Sequence, residues 1–126
     1  MVVMSWPLLI AAGLMAAITL LHIFGGGREA ARPMMEVDNL SKSAKMTMFY
    51  AWHLVTIALA FMAFVYFAAA LRPEFVAIAW AFGWLTAFFA VLSVLQTLVM
   101  RLPLSMLPQW VLFAPVAALV LWGTTQ

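Results

Sequence analysis

All ten Lys, Arg, Asp and Glu residues fall in three short patches, and the stretches between them carry no formal charge. The patches are 28–45, 72–74 and Arg101 alone, which leaves 1–27, 46–71, 75–100 and 102–126 uncharged. A helix that crosses the ~30 Å hydrocarbon core of a bilayer takes roughly 20 residues. Every uncharged stretch reaches that length. Apolar residues make up 68% of the chain and charged ones 8%, far from the usual balance of a globular domain. A water-soluble domain of 126 residues has no interior large enough for so much apolar surface. The sequence therefore predicts an all-α integral membrane protein, one domain built as a bundle of four transmembrane helices.

The helices are expected at about 6–24, 45–71, 75–100 and 107–124, with a loop over 25–44. Pro7 suits a first helical turn, where its missing N–H costs nothing. Gly25, Gly26 and Gly27 are expected to stop the first helix by supplying C-cap conformations. Pro73 disfavours helix at Arg72 and opens the next one, so Arg72-Pro73-Glu74 reads as a tight turn. Pro115 sits inside the fourth helix as a kink. The first apolar run lacks a basic lead and exceeds a signal-peptide core in length, so it reads as a retained membrane helix. Basic loop residues favour the cytoplasm. Arg28, Arg32, Lys42, Lys45 and Arg101 share one side and Arg72 the other. Both termini are thus expected outside, with the 25–44 loop in the cytoplasm of a multi-pass bacterial inner-membrane protein.

Small residues mark where these helices should meet. Ala79, Gly83, Thr86, Ala90, Ser93 and Thr97 recur at alternating spacings of four and three. Small side chains at that spacing let backbones approach closely in lipid. Ala12, Gly13, Ala16 and Ala17 suggest a similar face on the first helix. The bundle is read as left-handed.

Polar groups inside a bilayer need a partner or a purpose. His22, His53 and Gln96 each lie within about 10 Å of the same boundary, counting 1.5 Å per residue. Tyr50, His53 and Thr56 are three apart and share a face. Three readings of His22, His53, Gln96 and Tyr50 stand side by side. In the first, which requires least, they cross-link helices by hydrogen bonds. In the second, His22 and His53 ligate haem b or a metal ion. In the third, the histidines relay protons or line a small transport path, although no carboxylate lies deep in any helix, which such a path ordinarily needs.

Other chemistry finds little footing. The chain has no cysteine, which removes thiol catalysis and thiolate metal sites. Ser41, Ser43 and Ser105 have no acid–base partner at a fixed spacing. Glu29, Glu36 and Asp38 sit in the charged loop beside Arg28 and Arg32. The three glycines lack the Gly-Lys-Ser/Thr ending and preceding strand of a phosphate loop. The basic residues are too sparse for nucleic acid.

His22-Ile-Phe-Gly-Gly-Gly-Arg28-Glu29, then Arg32-Pro33, then Tyr50-Ala-Trp52-His53 resembles a family of small bacterial inner-membrane proteins of uncharacterised function. The resemblance covers about the first half of the chain. It implies that His22 and His53 belong to one arrangement with the glycine-rich turn between them, and it carries no assigned chemistry. The expected function is that of a non-enzymatic accessory or assembly subunit of a larger membrane complex. Ten methionines suit adaptable packing, and Met34, Met35, Met46 and Met48 form a candidate contact strip. Arg28, Arg32, Lys42, Lys45 and Arg101 are expected to meet anionic lipid or a partner subunit.

Overall fold

A computed structural model describes residues 4–126. Among these the chain is helical and forms no β-strand. Four helices follow in order: α1 over Trp6–Glu36, α2 over Lys42–Leu71, α3 over Val76–Val99 and α4 over Gln109–Gly123. With the 3₁₀ turn Pro73–Phe75 that leads into α3, three spans of 31, 30 and 27 residues are long and apolar enough to cross a membrane. α4 is apolar but has only 15 residues, a rise of about 22 Å.

The first helix overturns the expected boundary at the glycines. It is α-helical over Trp6–Leu20, continues as a π-helix over Leu21–Ala31, and returns to α over Arg32–Glu36. Both junctions keep right-handed helical dihedrals, with Leu21 at φ −60°, ψ −40° and Arg32 at φ −65°, ψ −51°. The Arg32 N–H reaches the Gly27 carbonyl five residues back. Glycine permits a helix stop without requiring one. Pro33, two residues past the π-helical stretch, supplies the reason for the wide winding. A proline inside a regular helix clashes with the carbonyl four residues before it, and widened turns are an established way to accommodate such a defect. The expected loop of 25–44 therefore shrinks to the five positions 37–41. α2 begins one turn early because Ser41 caps it, its Oγ accepting from the Ala44 N–H at 3.1 Å.

The turn after α2 forms as its sequence suggests. Arg72 is extended at φ −138°, ψ 119°, and Pro73 opens the 3₁₀ turn. α3 ends with the Leu102 N–H on the Thr97 carbonyl at 2.9 Å and the Arg101 N–H on Leu98 at 3.2 Å. That is a Schellman closure, with Arg101 at φ 52° in the position usually given to glycine.

α1 packs on α2, α3 packs on α4, and the two hairpins join through α1 against α4 and α2 against α3. The small-residue seam of α3 is its buried face: Ala79, Gly83, Thr86, Ala90, Ser93 and Thr97 are all buried. A Cβ on Gly83 would come within 2.9 Å of Val120 Cγ1, and one on Gly123 within 2.8 Å of Leu8 Cγ. Close approach thus fixes α4 against both α3 and α1. On α1 the expected face is displaced. Leu8, Ala11, Ala12, Met15, Ile18 and Thr19 are buried, whereas Gly13, Ala16 and Ala17 point outward. On α1 the contact mixes Leu8, Met15 and Ile18 with Ala11 and Ala12, so of the expected small residues only Ala12 faces it.

The largest fully buried side chain is Tyr66. Its hydroxyl lies 2.6 Å from Thr86 Oγ1 and 2.9 Å from the Phe82 carbonyl. Thr86 Oγ1–H itself donates to the Phe82 carbonyl at 2.9 Å. This cross-link ties α2 to α3, whereas the buried hydroxyls of Thr19, Ser93 and Thr97 bond carbonyls of their own helices.

Candidate functional site

The packed core covers only part of the two long helices. On α2 every buried residue lies between Leu59 and Ala70. On α1 the only buried residue beyond Thr19 is Ala31. Residues 4–8 and 122–126 sit with the α2–α3 turn at one end of the bundle, where the Ser5 N–H bonds the Ala70 carbonyl at 3.0 Å. At the other end α1 and α2 run on as a two-helix arm, joined by the turn at 37–41.

Trp52 organises this arm. Its indole stacks on the His22 ring with centroids 3.9 Å apart and planes 17° from parallel. His22 Nε2 is 3.3 Å from the Trp52 carbonyl. That carbonyl also accepts from Thr56 Oγ1–H at 3.2 Å. A Cβ on Gly26 would lie 2.6 Å from Trp52 Cη2, so glycine at this position makes room for the indole. The glycine run acts here as a seat for Trp52 within a continuous helix.

His53 turns to the other side of Trp52. Its ring meets Phe49 edge-on at 4.5 Å and 86°. Beside it lies an open groove of about 480 Å³ between the arm's two helices. Ile23, Gly27, Ala31, Arg32 and Met35 form one wall, and Phe49, Trp52, His53 and Thr56 the other. Arg32 Nε donates to Glu36 Oε1 at 3.1 Å, with both side chains largely exposed. A second hollow, of about 640 Å³, opens at the far end of the bundle beside residues 4–8, 69–73 and 122–124. Its lining contains no histidine.

The sequence-based cluster of four is thus divided. His22 stacks on Trp52, whereas His53 meets Phe49 and lines the groove, whose lining does not include His22. Trp52 covers one face of the His22 ring. Among the described residues, no group of three or more His, Asp or Glu side chains gathers at a metal-holding distance. Tyr50 is 66% exposed and lies off the groove. Gln96 is exposed on α3 and makes no hydrogen bond to either histidine. Of the expected Tyr50–His53–Thr56 stripe, only His53 and Thr56 line the groove. Arg32 is the one basic candidate in the lining. Arg28, Lys42 and Arg101 are exposed, and Lys45 is half-buried near the arm's tip.

Of the residues that organise the structure, Trp52 stands out in the sequence only within the Tyr50-Ala-Trp52-His53 motif of the resemblance, and Tyr66 not at all. Comparison with protein-family models, with curated proteins and with solved structures finds no match.

Proposed function

We propose that the protein is a small non-enzymatic subunit of the bacterial inner membrane that crosses it four times and docks a larger membrane complex through the α1–α2 arm. One observation carries this reading: the arm leaves the four-helix core while keeping apolar side chains exposed. Met46, Met48, Phe49 and Tyr50 on α2, with Val37 and Leu40 in the turn, are all exposed. Counted from Leu71 at about 1.5 Å per residue, α2 has risen about 30 Å by Ala51. Residues from Tyr50 to the tip then stand at or beyond the hydrocarbon boundary. Apolar side chains at that level are out of lipid and call for a protein partner. Met34, Met35, Met46 and Met48 give such a contact an adaptable surface.

The orientation follows from charge, with the arm and its Arg and Lys residues in the cytoplasm and both ends outside. α4 completes its crossing with the flanking segments, since its 15 residues alone are too short.

Two experiments test these points. The chain lacks cysteine, so single Asn39→Cys and Thr125→Cys variants report topology by impermeant maleimide labelling. Labelling from opposite sides is expected, and labelling from the same side overturns the four-crossing reading. Purification from native membranes in mild detergent should recover an integral-membrane partner, photo-cross-linked from Met46 or Met48. Recovery as a lone monomer without cross-links removes the subunit assignment.

A further inference from the structure

We propose that the arm's groove is a binding site for one anionic phospholipid, its acyl chain lying between Ile23, Trp52 and Thr56 and its phosphate held at Arg32. The inference rests on the orientation proposed above, which the cysteine-labelling experiment tests separately.

The groove has the layout of the ligand. Ile23, Ala31, Met35, Phe49 and Trp52 give it apolar walls, and its one charged group, Arg32, stands towards the arm's tip. Along the regular α2, at about 1.5 Å per residue, Thr56 lies about 22 Å and Phe49 about 33 Å from Leu71. The groove therefore straddles the boundary of a ~30 Å hydrocarbon layer. One wall belongs to the π-helical stretch, where a methyl group added at Gly27 would meet nothing within 4 Å. The absence of a side chain at Gly27 keeps that wall open.

Charge selects the headgroup. Arg32 reaches the groove from α1, and Lys45 stands one turn beyond Phe49 on the same face of α2. Arg32 spends one N–H on Glu36 and keeps four of its five donors. An ion pair this exposed is weak, so it does not compete strongly with a phosphate held at the edge of lipid. His53 lines the same wall at the depth of the glycerol esters and adds a ring nitrogen for hydrogen bonding.

The test uses the full chain, delipidated in mild detergent and offered equal amounts of phosphatidylglycerol and phosphatidylcholine with the same acyl chains. Native mass spectrometry counts what is retained. One phosphatidylglycerol per chain is expected, preferred by about tenfold, and Arg32→Gln should cut that preference about fivefold, one basic contact's worth. Gly27→Leu should abolish retention by filling the groove. If that variant does not fold, Arg32→Gln, at an exposed position, decides the matter. Equal retention of the two lipids overturns the proposal, as does undiminished phosphatidylglycerol binding in Arg32→Gln. Displacement by millimolar inorganic phosphate at constant ionic strength also overturns it, since that would mark a free-anion site.

Discussion

The same two helices behave differently at their two ends. Near the chain termini α1 and α2 are enclosed by α3 and α4, and Leu8, Met15, Leu59, Met62 and Tyr66 are shut away from the surface. Beyond Thr19 and before Leu59 they have only each other, and nearly every side chain is exposed or half-buried. The enclosed end is held by many apolar contacts plus one hydroxyl cross-link. The arm is held by a few specific ones: Trp52 on Gly26, Trp52 on His22, and the His22 ring nitrogen on the Trp52 carbonyl. In lipid, where apolar surface provides little drive for helices to associate, close packing and hydrogen bonds do that work. The core uses the first mainly, and the arm depends on both at a single residue.

The comparison can be broken most severely in the core. Tyr66→Ala should cost about 3–5 kcal/mol as a large cavity opens, read by unfolding in detergent. Tyr66→Phe should cost only about 0.6–1.7 kcal/mol, the span for hydrogen bonds between membrane helices. A small loss in the alanine variant would show that this end is not the stable half. In the arm, Gly26→Val should cost about 1–3 kcal/mol by overpacking, because the stacked His22 keeps the indole from simply turning aside. The loss should appear as faster amide exchange at 21–31 and 42–58 with the core's protection intact. Uniformly faster exchange would mean that the arm and core open together. The mildest test is Arg101→Gly, at the turn of the shorter hairpin. Relieving a left-handed arginine should stabilise the protein by up to about 1 kcal/mol, visible as a raised thermal midpoint. No gain would mean that the arginine is offset by contacts of its own.

How far this fold could be read from sequence depends on which physical signal each element leaves. The α3 seam was legible residue by residue, because small side chains at 4–3 spacing describe a buried stripe directly. Arg72-Pro73-Glu74 was legible because proline acts locally. The continuation of α1 through Gly25–Gly27 was not. Three glycines have the composition of a terminator, and only the indole across from Gly26 explains why the chain stays helical. The α1 face was misplaced for a related reason: Gly13, Ala16 and Ala17 look like packing residues, yet Leu8, Met15 and Ile18 fill the space between four helices. In the candidate site, the Trp52-His53 pair stood out in the sequence, but the stacking of Trp52 on His22 did not. Stacking of rings between two helices leaves no periodic trace. Gln96 had the right depth on the wrong hairpin, because rise along a helix says nothing of direction around it.

The wide winding over Leu21–Ala31 makes the two legs of the arm mechanically unequal. α2 runs as one regular rod from Lys42 to Leu71, while its neighbour has a stretch of looser hydrogen-bond geometry midway. Bending concentrates at such stretches. A pull on the tip near Asn39 would therefore fold the arm about the α1 leg, changing the width of the groove while leaving the enclosed half undisturbed.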